Sequence, residues 1–204
     1  MNARREKERQ QRREVLLEAA ARVFGRKSFD EATMQDVASE AEIGMQGLYE
    51  HFPSKQDLYE QVILVRAEAF HHLADMALAE RGGTALDRID AMAQVYAQTF
   101  QDRPFSLPTF VRDRVQVDWG FDTRLRSRLG EIYQTERSRL KSLIQEAVAQ
   151  GLLRPMDPEF LTQLAMDVLQ ASLHFAHAQV PREPAGPCVA RAMDCLLRGV
   201  GEAR

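Results

Sequence analysis

An all-α fold in two helical regions is what the 204 residues predict, on three grounds. Apolar residues recur three and four apart along most of the chain, which is the period of one helix face. No stretch of useful length alternates apolar and polar residues as a half-buried strand would. Ala, Leu, Gln, Arg and Glu dominate, and glycine gathers where helices would end. Hydrophobic residues make up 45% and charged residues 28%, enough for a globular core with a solvated surface.

The first helix is expected over about residues 8–25, with Val15, Leu16, Ala19, Ala20, Val23 and Phe24 inward and Gly25 as its stop. Phe29, in the loop that follows, is a plug for a small core. Thr33 caps a second helix with Asp36 as the reciprocal partner. Met34, Val37, Ala38 and Ala41 form its inner face. A break at Glu42-Ile43-Gly44 leads to a short third helix, Met45 to His51, anchored by Leu48 and Phe52. Ser54 caps a fourth, which runs to Arg81 with Leu58, Val62, Val65, Ala69, Phe70 and Leu73 facing inward. Longer helices follow at 84–102, 121–150, 157–179 and 187–200, with a proline-broken stretch at 104–117. Gly151 and Pro155 end one of them, and Asp157-Pro158 opens the next with an N-cap aspartate and a first-turn proline. The expected division is a small domain at 1–52 and a larger one at 53–204, joined by a continuous helix.

Several function classes are disfavoured. No apolar run is long enough to cross a bilayer, and the start Met1-Asn2-Ala3-Arg4-Arg5 lacks a signal-like apolar core, so a cytoplasmic protein is expected. Cys188 and Cys195 lie about two helical turns apart, too far for an intrachain disulfide; reduced thiols are the simpler reading, and pairing across a dimer axis is the other. There is no phosphate-binding glycine loop, no nucleophile elbow and no metal-ligand spacing, so neither an enzyme nor a cofactor is expected. The net charge of −3 decides nothing by itself, but its distribution is uneven. Residues 1–13 hold Arg4, Arg5, Lys7, Arg9, Arg12 and Arg13 against Glu6 and Glu8.

The segment 33–52 has the pattern of a helix-turn-helix, in which a second, exposed helix enters the DNA major groove. Ala38 is small where the two helices cross, and Val37, Ile43 and Leu48 fill the wedge between them. Met45, Gln46, Gly47, Tyr49 and Glu50 are left for the outside. The longer string is more specific. Thr33-Met34-Gln35-Asp36-Val37-Ala38, followed by Gly47-Leu48-Tyr49-Glu50-His51-Phe52-Pro53-Ser54-Lys55-Gln56-Asp57-Leu58, resembles the signature of the TetR/AcrR family of bacterial transcriptional regulators. The resemblance covers roughly residues 10–60 and implies an N-terminal three-helix DNA-binding domain on a helical effector-binding and dimerisation domain. It also implies roles. Thr33 would bond a phosphate at a helix N-terminus, Tyr49 and His51 would hold the DNA backbone, and Lys55 would meet a phosphate. Gln46 is the candidate base reader, with Met45 at a thymine methyl and Gly47 allowing close approach. The arginines of 4–13, among them Arg4, Arg5 and Arg12, would form an arm on the flanking backbone or minor groove. The sequence departs from the family pattern at Glu42, where glycine is common and a left-handed backbone would cost about 1 kcal/mol. Gly44 and Met45 depart too, and Lys55 is the sole cation between Thr33 and Leu58.

In the larger region, Phe70, Tyr96, Phe100, Phe110, Trp119, Tyr133, Glu136 and Phe175 are the candidate lining of an apolar effector cavity, although each aromatic is individually as well explained by core packing. Glu136 interrupts the inner stripe of its helix, either to select a cationic or hydrogen-bonding ligand or, more cheaply, to pair with a nearby arginine. Gln163, Asp167, Gln170, His174 and His177 form a stripe that reads as a solvent edge, a polar dimer seam or, least economically, a metal site. Adjacent His71 and His72 point to different faces and carry no signal of their own. Arg112, Arg114, Arg124, Arg126 and Arg128 read as solvated surface. The family dimerises through its last two helices, which makes Leu161, Leu164, Val168, Met193, Leu196 and Leu197 the expected interface of a two-fold homodimer. The function implied is a repressor released from a palindromic operator in double-stranded DNA by a small, largely apolar effector. The alternative is a helical ligand- or partner-binding dimer that has lost specific DNA recognition.

Overall fold

The computed structural model describes residues 2–27, 29–101, 123–179, 181 and 183–200. They form helices α1 (Asn2–Arg26), α2 (Met34–Glu40), α3 (Met45–Tyr49), α4 (Lys55–Glu80), α5 (Ala85–Phe100), α6 (Thr123–Ala149), α7 (Pro158–Ala178) and α8 (Ala185–Val200), with no strand among the described residues. The chain divides into two compact units, Met1–Val65 and Arg66–Arg204, so that the first turns of α4 pack with the small unit. The proline-broken stretch 104–117 lies outside the described residues.

In the first unit, Leu16, Ala19, Ala20, Val23 and Phe24 of α1 are buried with Val37, Ala38, Leu48, Phe52 and Leu58. Phe29 fills the gap expected of it, with its ring 4.6 Å from Tyr59 and 6.4 Å from Phe24. Two sequence expectations change here. Val15 is 52% exposed, because the buried face of α1 runs through Leu16 and Leu17 instead. The helix also begins at Asn2 rather than near residue 8. Residues 4–12 are all exposed, and Arg4 donates to Glu8 one turn on at 2.9 Å. A helical stretch that faces no core shows no apolar period, and it is local pairs of this kind that support it.

The second unit is built from the remainder of α4 and from α5 to α8, with the closest packing between α7 and α8. The face that α4 buries in this unit is Ala67, Phe70 and Ala74, whereas Leu73 stays exposed. Termini follow their residue chemistry. Thr84 and Asp87 form a capping box on α5, and Asp157 accepts from the Glu159 amide ahead of the Pro158 first turn. The end of α6 is closed by Leu152 N–H on the Ala147 carbonyl (2.9 Å) and Gly151 N–H on that of Val148 (3.0 Å). This 6→1, 5→2 pair requires a left-handed residue, and Gly151 supplies it at φ 69°.

Candidate nucleic-acid interface and ligand cavity

In the first unit, α2 is fixed at its N-terminus by a complete capping box. The Thr33 hydroxyl accepts from Asp36 N–H (3.1 Å), and Asp36 accepts from Thr33 N–H (2.9 Å). Its C-terminus is closed by the same 6→1, 5→2 motif as α6, Ile43 N–H to the Ala38 carbonyl (3.0 Å) and Glu42 N–H to that of Ser39 (3.3 Å). The left-handed residue is Glu42, at φ 54°, where glycine would carry no penalty. This sharp turn sends the chain directly into α3, which buries Leu48 and leaves Gln46 and Tyr49 exposed and Met45 half-buried. Gly47 is half-buried, and a Cβ there would meet only Ile43 Cδ1, at 3.9 Å. The outer surface of α3 is therefore free of packing duties, as base reading requires.

The cations that offset the acids of α2 come from α1 and from Lys27 just after it. Arg22 donates to Glu40 at 2.7 Å, Arg26 donates to the same carboxylate, and Lys27 donates to Asp36 at 2.7 Å. The Lys27 and Thr33 hydrogen bonds hold the Asp36 carboxyl down to about 2, and Arg22 and Arg26 lower that of Glu40. Two of the acids that make α2 look hostile to phosphate are thus neutralised by residues more than eight positions away, which inspection of 33–58 alone does not reveal. Arg13 is a second residue that the sequence undersold. Its guanidinium lies 4.4 Å from the Phe52 ring centroid and donates to the His51 carbonyl (3.3 Å) and Gln61 Oε1 (2.9 Å). It ties α1 to the segment after α3 and to α4. Burial, together with the nearby charges of Arg9, Arg12 and Arg13, pushes the His51 imidazole below its usual range.

Lys55 is placed differently from a free phosphate ligand. Its ammonium donates to the carbonyls of Phe29 (2.7 Å) and Ala32 (3.0 Å) and lies 4.4 Å from the Phe29 ring centroid. Two of its three donors are committed to holding the α1–α2 loop against the start of α4. Arg4, Arg5 and Arg12 are exposed, but on a helix rather than an extended arm.

The second unit contains a cavity of about 50 Å³ lined by Phe70, Ile89, Met92, Ala93, Tyr96, Tyr133, Glu136, Arg137, Leu140, Met166, Leu169 and Met193. Phe70, Tyr96, Tyr133 and Glu136 are thus brought together as the sequence suggested. Phe100 lies behind them, its ring 4.9 Å from Tyr96 and 6.0 Å from Phe70. Phe175 is not part of the lining; it is 52% exposed on the outer face of α7. Phe110 and Trp119 lie outside the described residues. The methionines were missed because an unbranched apolar side chain carries no pocket signal in sequence.

Glu136 is 6% exposed and is held from two helices. His71 Nδ1 lies 2.5 Å from Oε1, and Arg139 Nη1 donates to both oxygens at 3.0 Å. The expected arginine pair is present, and the carboxylate still faces the cavity. Burial is the largest influence on its carboxyl and raises it. His71 is a correction to the sequence reading: one turn of α4 brings it to Glu136, while His72 is exposed.

The residues expected at a subunit contact divide. Leu161 and Met193 are buried within their own chain, Met193 against the cavity, because α7 and α8 use those positions to pack on their neighbours. Leu164, Val168, Leu196 and Leu197 are half-buried. The exposed apolar groups of α7 are instead Phe160 and Phe175, near its two ends. Of the polar stripe, Gln163, Asp167 and His174 face outward as a solvent edge would. Gln170 is buried, and half-buried His177 bonds the Leu173 carbonyl through Nδ1 at 2.6 Å. No group of acids, histidines and cysteines that could hold a metal occurs among the described residues, nor is any of their helices long and apolar enough to cross a membrane.

A capped short helix, a sharp left-handed turn and a second helix with an unencumbered outer face, set against a cation-rich first helix, define a helix-turn-helix DNA-binding unit. Over residues 16–62 the chain matches the profile of the bacterial regulatory proteins of the tetR family. It is 26% identical over 186 residues to the HTH-type transcriptional repressor KstR2 of Mycolicibacterium smegmatis, covering 86% of this chain and 82% of that one. To the HTH-type regulator YfiR of Bacillus subtilis it is 24% identical over 169 residues, covering 80% and 81% of the two chains. The fold is shared with the ketosteroid transcriptional regulator KstR2 of Mycobacterium tuberculosis at a TM-score of 0.75, with 18% identity, over 94% of this chain and 96% of that one.

Proposed function

We propose that this chain is a homodimeric repressor that binds a palindromic operator through α3 and is released when a small, largely apolar molecule enters the cavity of its second unit. The observation that carries the DNA half is the outer face of α3. Gln46 and Tyr49 are exposed while Leu48 is buried, so neither is needed for the fold and both are available to bases and phosphates. Thr33 stands exposed at the N-terminus of α2, where free amides favour a phosphate, although its hydroxyl is already engaged with Asp36. Arg9 and Arg12 supply positive potential beside His51.

The effector half rests on the cavity and on kinship with a ketosteroid regulator and other family members, whose own ligands are theirs. At about 50 Å³ the space holds a few waters. An effector larger than a few waters must therefore push its walls apart, and that displacement is what the repressor mechanism needs. Dimerisation through α7 and α8 supplies the two-fold symmetry of a palindrome.

The test is fluorescence anisotropy of the full chain on DNA from immediately upstream of its own gene, at two salt concentrations, with scrambled DNA as control. Selective binding that survives moderate salt, and that is lost in Gln46→Ala/Tyr49→Ala without loss of helicity or dimer, supports the reading. Equal weak binding to both DNAs, unchanged in the double variant, overturns it.

A further inference from the structure

A second space lies beside the cavity. It measures about 10 Å³, room for a single water, and is walled by Ile144 of α6, Leu153 in the turn after it, Leu161 and Ala165 of α7, and Leu196 and Leu197 of α8. Ile89 of α5 and Met193 of α8 line both spaces, so these two side chains form the partition between them. The order of the lining residues fixes the arrangement. Along α6 the first cavity takes Tyr133, Glu136, Arg137 and Leu140, and the second takes Ile144, one turn further on. Along α7 the order is reversed, as in a helix that returns: Leu161 and Ala165 line the second space, Met166 and Leu169 the first. On α5 the shared Ile89 is followed by Met92, Ala93 and Tyr96 of the first. On α8 the shared Met193 is followed by Leu196 and Leu197 of the second. Four helices agree, so the two spaces are successive stations along one axis of the bundle. From Tyr133 to Ile144 that axis covers about 16 Å of helical rise.

The partition is unequal. Ile89 is β-branched and stiff, whereas Met193 is unbranched, with three rotatable bonds, and repacks readily. Both are enclosed, 1% and 2% exposed, so a movement of Met193 stays inside the unit. The polar lining is unequal too. Glu136 and Arg137 belong to the first cavity, and among the described residues the wall of the second offers no polar side chain. A polar atom entering the second space would lose its bonds to water and find no replacement. A methylene chain would instead supply the dispersion contacts that the walls of a void lack. We propose that the two spaces join into one channel when Met193 turns aside, and that this channel takes a single aliphatic chain, polar end in the first cavity and tail in the second. This rests on the cavity being the effector site, and it gives that site a ligand class in which chain length decides affinity.

The experiment titrates hexan-1-ol, octan-1-ol and decan-1-ol into the full-length protein by isothermal titration calorimetry. One alcohol should bind per chain, with affinity rising about fourfold for each added methylene through decan-1-ol. A tail confined to the first cavity would level off within the series. Leu153→Phe and Ala165→Leu narrow the second space from different elements and lie outside the lining of the first. Each should weaken decan-1-ol by about tenfold and leave hexan-1-ol within about twofold, since only the long tail reaches them. Ala93→Leu narrows the first cavity and should weaken all three alcohols together. Affinity that levels off at hexan-1-ol in the unaltered protein overturns the channel, and that comparison depends on no variant folding. A decan-1-ol affinity that both second-space variants leave unchanged overturns it as well. Either result, with Ala93→Leu still weakening hexan-1-ol, leaves the effector reading standing. Failure of every alcohol to bind, or binding that Ala93→Leu does not touch, overturns the cavity as the effector site, and the channel with it.

Discussion

At the residue scale, side chains that look equivalent in the sequence do different work. Lys55 and Arg13 read as DNA contacts in a basic N-terminal region, yet both are bonded into the first unit. Lys55→Ala should therefore lower the melting temperature of the first unit as well as weaken DNA binding, because two loop carbonyls lose their donor; calorimetry on the variant checks this. His51, held below its usual range by burial and neighbouring arginines, is neutral at pH 7.5 and adds no charge to the interface. His51→Gln should leave the dependence of log affinity on log salt unchanged there, whereas Arg9→Gln and Arg12→Gln should each flatten it by about one unit for every phosphate they cease to neutralise. Asp36 gives a pH signature. Its carboxyl is held at about 2 in the folded chain against an ordinary 3.8, so it binds fewer protons folded than unfolded. Its contribution to stability is complete above the unfolded value and disappears as pH falls from about 4 to about 2. The unfolding midpoint of Asp36→Asn, followed by circular dichroism, should fall less steeply than that of the parent through this window.

At the element scale, helix ends were more legible than helix faces. Thr33-Asp36, Ser54 and Asp157-Pro158 mark the starts where the structure has them, because capping is local chemistry between residues two or three apart. Faces depend on what lies opposite. Val15 and Leu73 fit an apolar period and are nevertheless exposed, since a period is compatible with a stripe rotated by one residue. The helix-turn-helix could be read because its cap, turn and anchor all lie within twenty-odd residues. The pairing of Asp36 and Glu40 by α1, and the Glu136–His71–Arg139–Asp75 group, could not, because they join residues that only the fold brings together. Glu42 shows what the family resemblance adds: it stands where glycine is common in that family, which implied a left-handed backbone, and its φ is 54°. Glu42→Gly should raise the unfolding free energy by about 1 kcal/mol by removing that penalty, partly offset by the added freedom of the unfolded chain. Chemical denaturation measures the difference.

At the scale of the whole molecule, a two-fold operator reader needs a partner subunit, and each half-site alone binds weakly. Phe160 and Phe175, 54% and 52% exposed on α7, are the large apolar groups that the isolated chain leaves uncovered on one of the two helices proposed for the interface. Phe160→Ser/Phe175→Ser should shift the protein toward monomer in sedimentation equilibrium with little change in helicity, and operator affinity should fall with it. A dimer that survives the double change places the interface elsewhere. The extension of α1 has a consequence in time. Residues 4–12 are all exposed, and a bare helical segment of that length is marginal in water. Its amides should exchange with solvent faster than those from Leu16 onward, and trypsin should trim its arginines while sparing the packed remainder of the unit. DNA then meets a fluctuating rod whose ordering is completed only on contact, so part of the binding free energy goes into finishing a helix, and lowering the temperature should strengthen this contact.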